Sequence, residues 1–189
     1  MSAVGLAALG ELKCLRNLWL YCPHPIGAGL AYLGGMMQLE ELGLSGISNL
    51  QVRNLAFLQG LGNLRTLHIT DNDVTDPVLF LLGGLVNLTS LDLRGTQIGD
   101  AGTRQLAGLR GLRLLDLSNT QIGTAAVRAC LPLVNLEELN LRHTLVDNTA
   151  VLYLQQFPKL EKLVLFDTHI SRVGLDELRE ALPNCQVFG

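Results

Sequence analysis

The groups able to move protons, hold a metal or attack a substrate in this 189-residue chain include four histidines and four cysteines. The cysteines, Cys14, Cys22, Cys130 and Cys185, are irregularly spaced, and no pair has the CxxC form of a zinc or redox site. Cys22 and His24 are neighbours, but two ligands do not make a zinc site. His68 and Asp92 stand 24 residues apart. In a chain that repeats at that interval they become a candidate hydrogen-bonded pair. Such a pair needs an aligned nucleophile to do covalent chemistry, and no serine or cysteine is aligned with it. No Gly-x-x-x-x-Gly-Lys phosphate loop occurs. The Gly-Gly pairs at 34–35 and 83–84 end helical runs, which is a structural use of glycine. His143 and His169 fall in turns and are expected to see solvent. Neither catalysis nor a metal or cofactor is expected.

The elements that carry these groups are written in leucine. The chain holds 44 leucines, is 48% hydrophobic and only 5% aromatic. Burial on that scale can offset the ordering entropy, which excludes a disordered chain. No run of about 18 residues is free of polar groups, so no membrane span is expected. A net charge of −3 and a pI near 5.8 provide no basic field, so nucleic acid is not an expected partner. Residues 1–10 carry no positive charge before their apolar run and read as a poor signal peptide. Cys14, Cys130 and Cys185 read as small hydrophobes at the core or its border. A reducing, cytoplasmic setting is expected.

The pattern Leu-x-x-Leu-x-Leu begins at Leu15, Leu39, Leu64, Leu88, Leu112, Leu136 and Leu160, in steps of 24 with one of 25. Cys185 starts a truncated further copy. Alternation at the Leu-x-Leu end marks a short strand with one buried face. A second apolar run with helical spacing follows, as in Leu55-Leu58-Leu61, Leu79-Leu82-Leu85 and Val151-Leu154-Phe157. On these residues the chain resembles the leucine-rich-repeat family over almost all its length. The resemblance implies an α/β solenoid, curved and right-handed, with a parallel sheet on the concave face and short helices on the convex face. Stacked units share one core, because no unit can bury its own apolar face. The expected layout is one domain over 1–189: a helical cap at 1–14, seven repeats at 15–184 and a capping strand at 185–189. The Leu-x-x-Leu-x-Leu-x-x-Thr-x-Ile form looks like the intracellular type. It is similar to repeats of trypanosomatid and bacterial proteins and of ubiquitin-ligase substrate receptors.

Within each turn, Asn72 and then Thr96, Thr120, Thr144 and Thr168 are expected to hydrogen-bond the backbone. Pro23 and Ile47 break the pattern, so the first two turns should be irregular. Asp76, Asp100, Thr124, Asn148 and Ser171 read as N-caps of the helices that follow them. Pro183 should stop the last helix.

Residues between the leucines face solvent on the sheet. The central column reads Trp19, Gly43, His68, Asp92, Asp116, Asn140, Val164. One flank holds Leu114, and the other holds Tyr21, Arg94, Arg142 and Phe166. At about 4.8 Å per strand, seven steps span roughly 34 Å, enough for a helix or extended segment of a partner. Trp19 and Tyr21 are candidate anchors, or else they pack under the N-terminal cap. Asp92 and Asp116 are adjacent carboxylates awaiting a cation from a partner, or a solvated patch partly neutralised by Arg94 and Arg142. Leu114, Val164 and Phe166 await a partner, unless the C-terminal segment covers the last two. The reading is a monomeric, non-catalytic scaffold that binds another protein through Trp19, Tyr21, His68, Asp92, Arg94, Leu114, Asp116, Asn140, Arg142, Val164 and Phe166. The alternative is a recognition module of a larger regulatory protein, such as a ubiquitin-ligase receptor or a cytoskeletal adaptor.

Overall fold

Each leucine pattern folds as a strand. In a computed structural model, which describes residues 3–189, the strands are β1 (Asn17–Tyr21), β2 (Glu41–Ser45), β3 (Thr66–Thr70), β4 (Ser90–Asp92), β5 (Leu114–Asp116), β6 (Glu138–Asn140), β7 (Lys162–Val164) and β8 (Gln186–Phe188). They form one open sheet, all parallel, in chain order. The register places Leu18, Leu42, Leu67, Leu91, Leu115, Leu139 and Leu163 in one continuous row, closed by Val187. The first seven are buried; Val187 packs against them half-buried. Full burial of such a side chain contributes about 1.5–3 kcal/mol, so the row is a large part of the fold's stability.

The return path from strand to strand is helical, but not uniformly α. Residues 27–35 and 52–60 are 3₁₀ helices. Their apolar residues recur at strict three-residue steps, Leu30-Leu33-Met36 and Leu55-Leu58-Leu61, and all six are buried. A helix of three residues per turn stacks such positions in one line. Val78, Leu79 and Leu82 instead follow the α spacing, and α2 is Pro77–Leu82. The chain begins with α1 (Ala3–Gly10), shorter than the expected cap, and α1 packs on the first 3₁₀ segment. Residues 1 and 2 of the expected cap lie outside the described residues. The remaining α helices are α3 (Asp100–Thr103), α4 (Thr124–Ala129), α5 (Val151–Leu154) and α6 (Arg172–Ala181), and 3₁₀ turns follow α3 at Arg104–Gly108 and precede α5 at Asn148–Ala150. The last α helix ends two residues before Pro183, as its spacing predicts. No helix among the described residues is long and apolar enough to cross a membrane.

Polar side chains stitch one repeat to the next. Asn72 is the strongest case: its Nδ2 donates to the Leu44 carbonyl (3.0 Å), and its Oδ1 accepts from the Ile47 amide (2.7 Å). The threonines in its column only reach back three residues within their own turn, as Thr96 does to Leu93 (2.6 Å) and Thr120 to Leu117 (2.6 Å). Three of the expected caps, Asp76, Asp100 and Asn148, act elsewhere. Asp76 accepts from the Gly99 amide (2.6 Å), Asp100 from Gly123 (2.7 Å) and Ala126 (3.1 Å), and Asn148 from Ser171 (2.8 Å). These side chains bind the following repeat rather than their own helix, because stacking brings its free amides within reach. Asp147, not Asn148, caps its own helical turn through the Thr149 amide (2.9 Å). Hydrogen bonds from Thr149 and Thr124 hold its carboxyl below the usual range. Ser171 does cap α6, through Gly174 (3.3 Å). A further ladder precedes the strands, where Asn63, Asn87 and Asn135 donate to the carbonyls of Met37, Gly62 and Arg110.

After the strands, Gly46, Asp71, Gly95, Asn119, His143 and Asp167 all take positive φ, between 54° and 66°. These residue types tolerate the left-handed region. The second turn, expected to be irregular, keeps this residue at Gly46 and adds another at Asn49 (φ 54°). The first turn, at Pro23, has none. Cys14 is exposed rather than buried, while Cys22 and Cys130 are buried and Cys185 is intermediate. Cys14 lies beyond α1, outside the reach of the stacked core.

Two outcomes are expected. Asn72→Ala leaves two buried backbone groups without partners and should lower the stability measured by urea unfolding by about 2–3 kcal/mol, against about 1 kcal/mol for Thr120→Val. In native chain at pH 8, a thiol reagent should label Cys14 first. Burial pushes the Cys130 thiol up to about 12, so it should react only on unfolding.

Candidate functional site on the open strand face

The strand register lines up Trp19, Gly43, His68, Asp92, Asp116, Asn140, Val164 and Phe188 in one column on the solvent face. Trp19 does not pack under the N-terminal cap. Its ring lies over Gly43, where a Cβ would collide with Cε3, and reaches His68, with ring centroids 4.5 Å apart at 41°. Its Nε1 donates to Glu41 Oε1 (3.0 Å), and the residue stays 56% exposed. Tyr21, on the same face of β1, leans over Gly46 and is 77% exposed.

His68 continues the column: its Nδ1 lies 3.2 Å from Asp92 Oδ2. The expected pair therefore forms, and no serine, threonine or cysteine side chain bonds to it among the described residues. Asp92 is buried, and its Oδ1 accepts from the Arg94 amide (3.0 Å). The Arg94 guanidinium stands 3.8 Å from Oδ2. Asp116 accepts from the Ser118 amide (2.8 Å), the Ser118 hydroxyl (2.6 Å) and Asn140 Nδ2 (2.8 Å). Neither carboxylate is short of donors, which corrects the expectation that they await a partner's cation. Arg142 does not neutralise them either; its Nε pairs with Asp167 Oδ2 at 3.3 Å. The Arg142 amide donates to Asn140 Oδ1 (3.1 Å), so strand-end polar groups close their own turns.

Leu114 is half-buried rather than exposed, because its neighbours on β4 and β6 flank it. Val164 is also half-buried, with Phe188 of β8 beside it, whereas Phe166 stays 45% exposed and uncovered by the C-terminal strand. Leu114 and Val164 join Asp92, Asp116 and Asn140 around a hollow of about 290 Å³. Its floor is the sheet, and its rim carries the Lys162–Glu138 ion pair (3.1 Å). On the sheet's margin, Arg113 grips Glu137 through two bonds (2.7 and 2.5 Å), which holds the Glu137 carboxyl below its usual range. Among the described residues no three His, Cys, Asp or Glu side chains gather as a metal site.

The sequence contains one tryptophan. Gly43→Ala should therefore expel Trp19 from its place and change the intrinsic fluorescence, while the far-ultraviolet circular dichroism stays that of the parent. An unchanged emission spectrum would contradict the placement over Gly43.

The leucine rich repeat family matches residues 86–146 and, through a second model, residues 63–77. No curated protein matches the sequence. Among solved structures, the chain is similar to an internalin (inlF) from Listeria monocytogenes, with a TM-score of 0.77 and 22% identity over 96% of this chain. It is also similar to internalin C2 (inlC2) from the same organism, with a TM-score of 0.70 and 25% identity over 100% of this chain and 74% of that one. A plant peptide hormone receptor, RGFR1, in complex with RGF2 matches with a TM-score of 0.60 at 20% identity, over 96% of this chain and 33% of the receptor. The chain spans 49% of the inlF structure. The repeat period, the single parallel sheet and these likenesses agree: the chain is built of leucine-rich repeats and has the leucine-rich-repeat fold.

Proposed function

We propose that this chain is a non-catalytic scaffold that binds another protein on its open strand face. The observation that carries the reading is the exposure of Trp19, Tyr21 and Phe166 on that face, at its two ends, with a hollow between them. Large aromatic groups left in solvent contribute most when a partner buries them. Eight strands at about 4.8 Å span roughly 34 Å, matching the footprint of a standard interface. Leucine-rich-repeat proteins mediate protein–protein interaction in general, and the plant receptor similar in fold is in complex with RGF2. His68, Asp92, Arg94, Asp116, Asn140 and Arg142 give this face its fixed polar relief, while Leu114 and Val164 give the hollow its apolar wall.

The reading extends to a single domain over 1–189, with a cap at 1–14, repeats at 15–184 and a closing strand at 185–189. It takes the chain as a cytoplasmic monomer without nucleic-acid or membrane partners. No observation favours the ligase-receptor or adaptor alternative over this general one.

A photo-crosslinking residue placed at 21 or 166 should capture a partner from native lysate that the same residue at 53, on the helical side, does not. Against that partner, Trp19→Ala and Phe166→Ala should each weaken binding about tenfold, or ~1.4 kcal/mol. Affinities within twofold of the parent for both, with unchanged circular dichroism, would remove the interface from the strand face.

A further inference from the structure

On the opposite, helical face, one position recurs in four successive repeats as Phe80, Arg104, Arg128 and Leu152. The helices that carry them pack side by side in chain order. All four are exposed, Phe80 at 63% and Leu152 at 67%. Arg104 and Arg128 border a shared hollow of about 350 Å³, floored by Ala125 and Ala129, whose short side chains leave it open.

The charge here is one-sided. Between Asp100 and Asp147 the acidic residues are Asp116, Glu137 and Glu138, all in or beside strands. Asp100 stands four residues before Arg104, the spacing of a helical ion pair. Its carboxylate turns instead to the Gly123 and Ala126 amides. Neither Arg104 nor Arg128 has an acidic partner among the described residues. Most other arginines of the strand side are paired: Arg16 with Glu40, Arg113 with Glu137, and Arg142 with Asp167.

We infer that this stripe is a second docking surface, for an acidic amphipathic segment of a partner protein. The segment places two carboxylates between Arg104 and Arg128 and apolar side chains on Phe80 and Leu152. Guanidinium groups grip carboxylates through paired N–H donors, and an apolar flank at each end excludes water from that contact. Helices pack about 8–10 Å apart, so three steps cover roughly 27 Å, the length of a helix of about 18 residues. Charge favours a protein over the other anionic surfaces. Anionic lipid recognition uses clusters of about 4–8 basic residues, and this stripe has two in a chain of net charge −3. Nucleic acid needs a basic field that the chain lacks.

The test uses the full chain and a fluorescein-labelled helical peptide of about 18 residues whose one face reads Leu, Glu, Glu, Leu at the stripe's spacing. Fluorescence anisotropy should show saturable binding. Arg104→Glu with Arg128→Glu should weaken it at least tenfold, and the double variant should instead bind the peptide with Lys in place of Glu. Arg104→Gln with Arg128→Gln should weaken it without reversing the preference, and circular dichroism should show all variants folded. Trp19→Ala should leave it unchanged, which separates this surface from the strand face. Absence of saturable binding, or equal affinity of the double variants, overturns the inference. So does arginine-dependent sedimentation with phosphatidylserine vesicles without peptide binding, which would assign the stripe to a membrane.

Discussion

A single repeat of this chain has nowhere to put its leucines. Each unit offers one short strand and one helical turn, with apolar groups on their facing sides, and two such layers leave both ends of the unit open. Stacking is the only burial available, and the parallel register that results is what every other feature depends on. Leu42, Leu67, Leu91 and Leu115 are each fully shielded because a neighbour stands on either side. The ends pay differently. Leu18 on β1 keeps a trace of exposure, and Val187 on β8 is only half-buried.

Hydrophobic burial decides which face each side chain takes but does not complete the register, since a two-residue slip returns every leucine to the buried face. The side-chain ladders supply it. Asn72 binds the Leu44 carbonyl and the Ile47 amide of the preceding repeat, and Asp100 binds two amides of the following one. These bonds are directional, so a slip would leave buried polar groups unpaired at about 1–3 kcal/mol each. The ladders thereby fix which residues share a column. Trp19 meets His68, and His68 meets Asp92, because Gly43 and the ladder geometry bring them to the same height. The two faces of the molecule then differ in kind. On the strand face, charges are tied to neighbours and aromatic rings are left to solvent. On the helical face, Arg104 and Arg128 have no acidic partner among the described residues.

Much of this was legible in the residues. The Leu-x-x-Leu-x-Leu steps locate seven strands, and the alternation within them predicts the column from Trp19 to Val164. Helix starts near 76, 100, 124 and 148 follow from turn residues at fixed offsets, and the helices begin at 77, 100, 124 and 148. What the spacing could not tell was direction. An aspartate before a helix satisfies an amide of its own helix or one of its neighbour's, and only stacking makes the neighbour closer. The same blindness affected Asp92 and Asp116, whose carboxylates look unpaired in the columns but accept bonds from residues two further along their strands and from the adjacent strand. Two further signals lie in the sequence: the column Asp71, Gly95, Asn119, His143, Asp167, composed of types that tolerate positive φ, and the asparagines at 63, 87 and 135. Cys14 misled because it borders the leucine pattern without entering the stack.

Under the proposed function, the aromatic ends of the strand face hold the partner. Hydroxyl-radical footprinting of the chain with and without its bound partner reads this side chain by side chain. Trp19, Tyr21 and Phe166 should lose reactivity together on binding, because one partner spans the face between them. Loss of reactivity elsewhere, with these three unchanged, would contradict it.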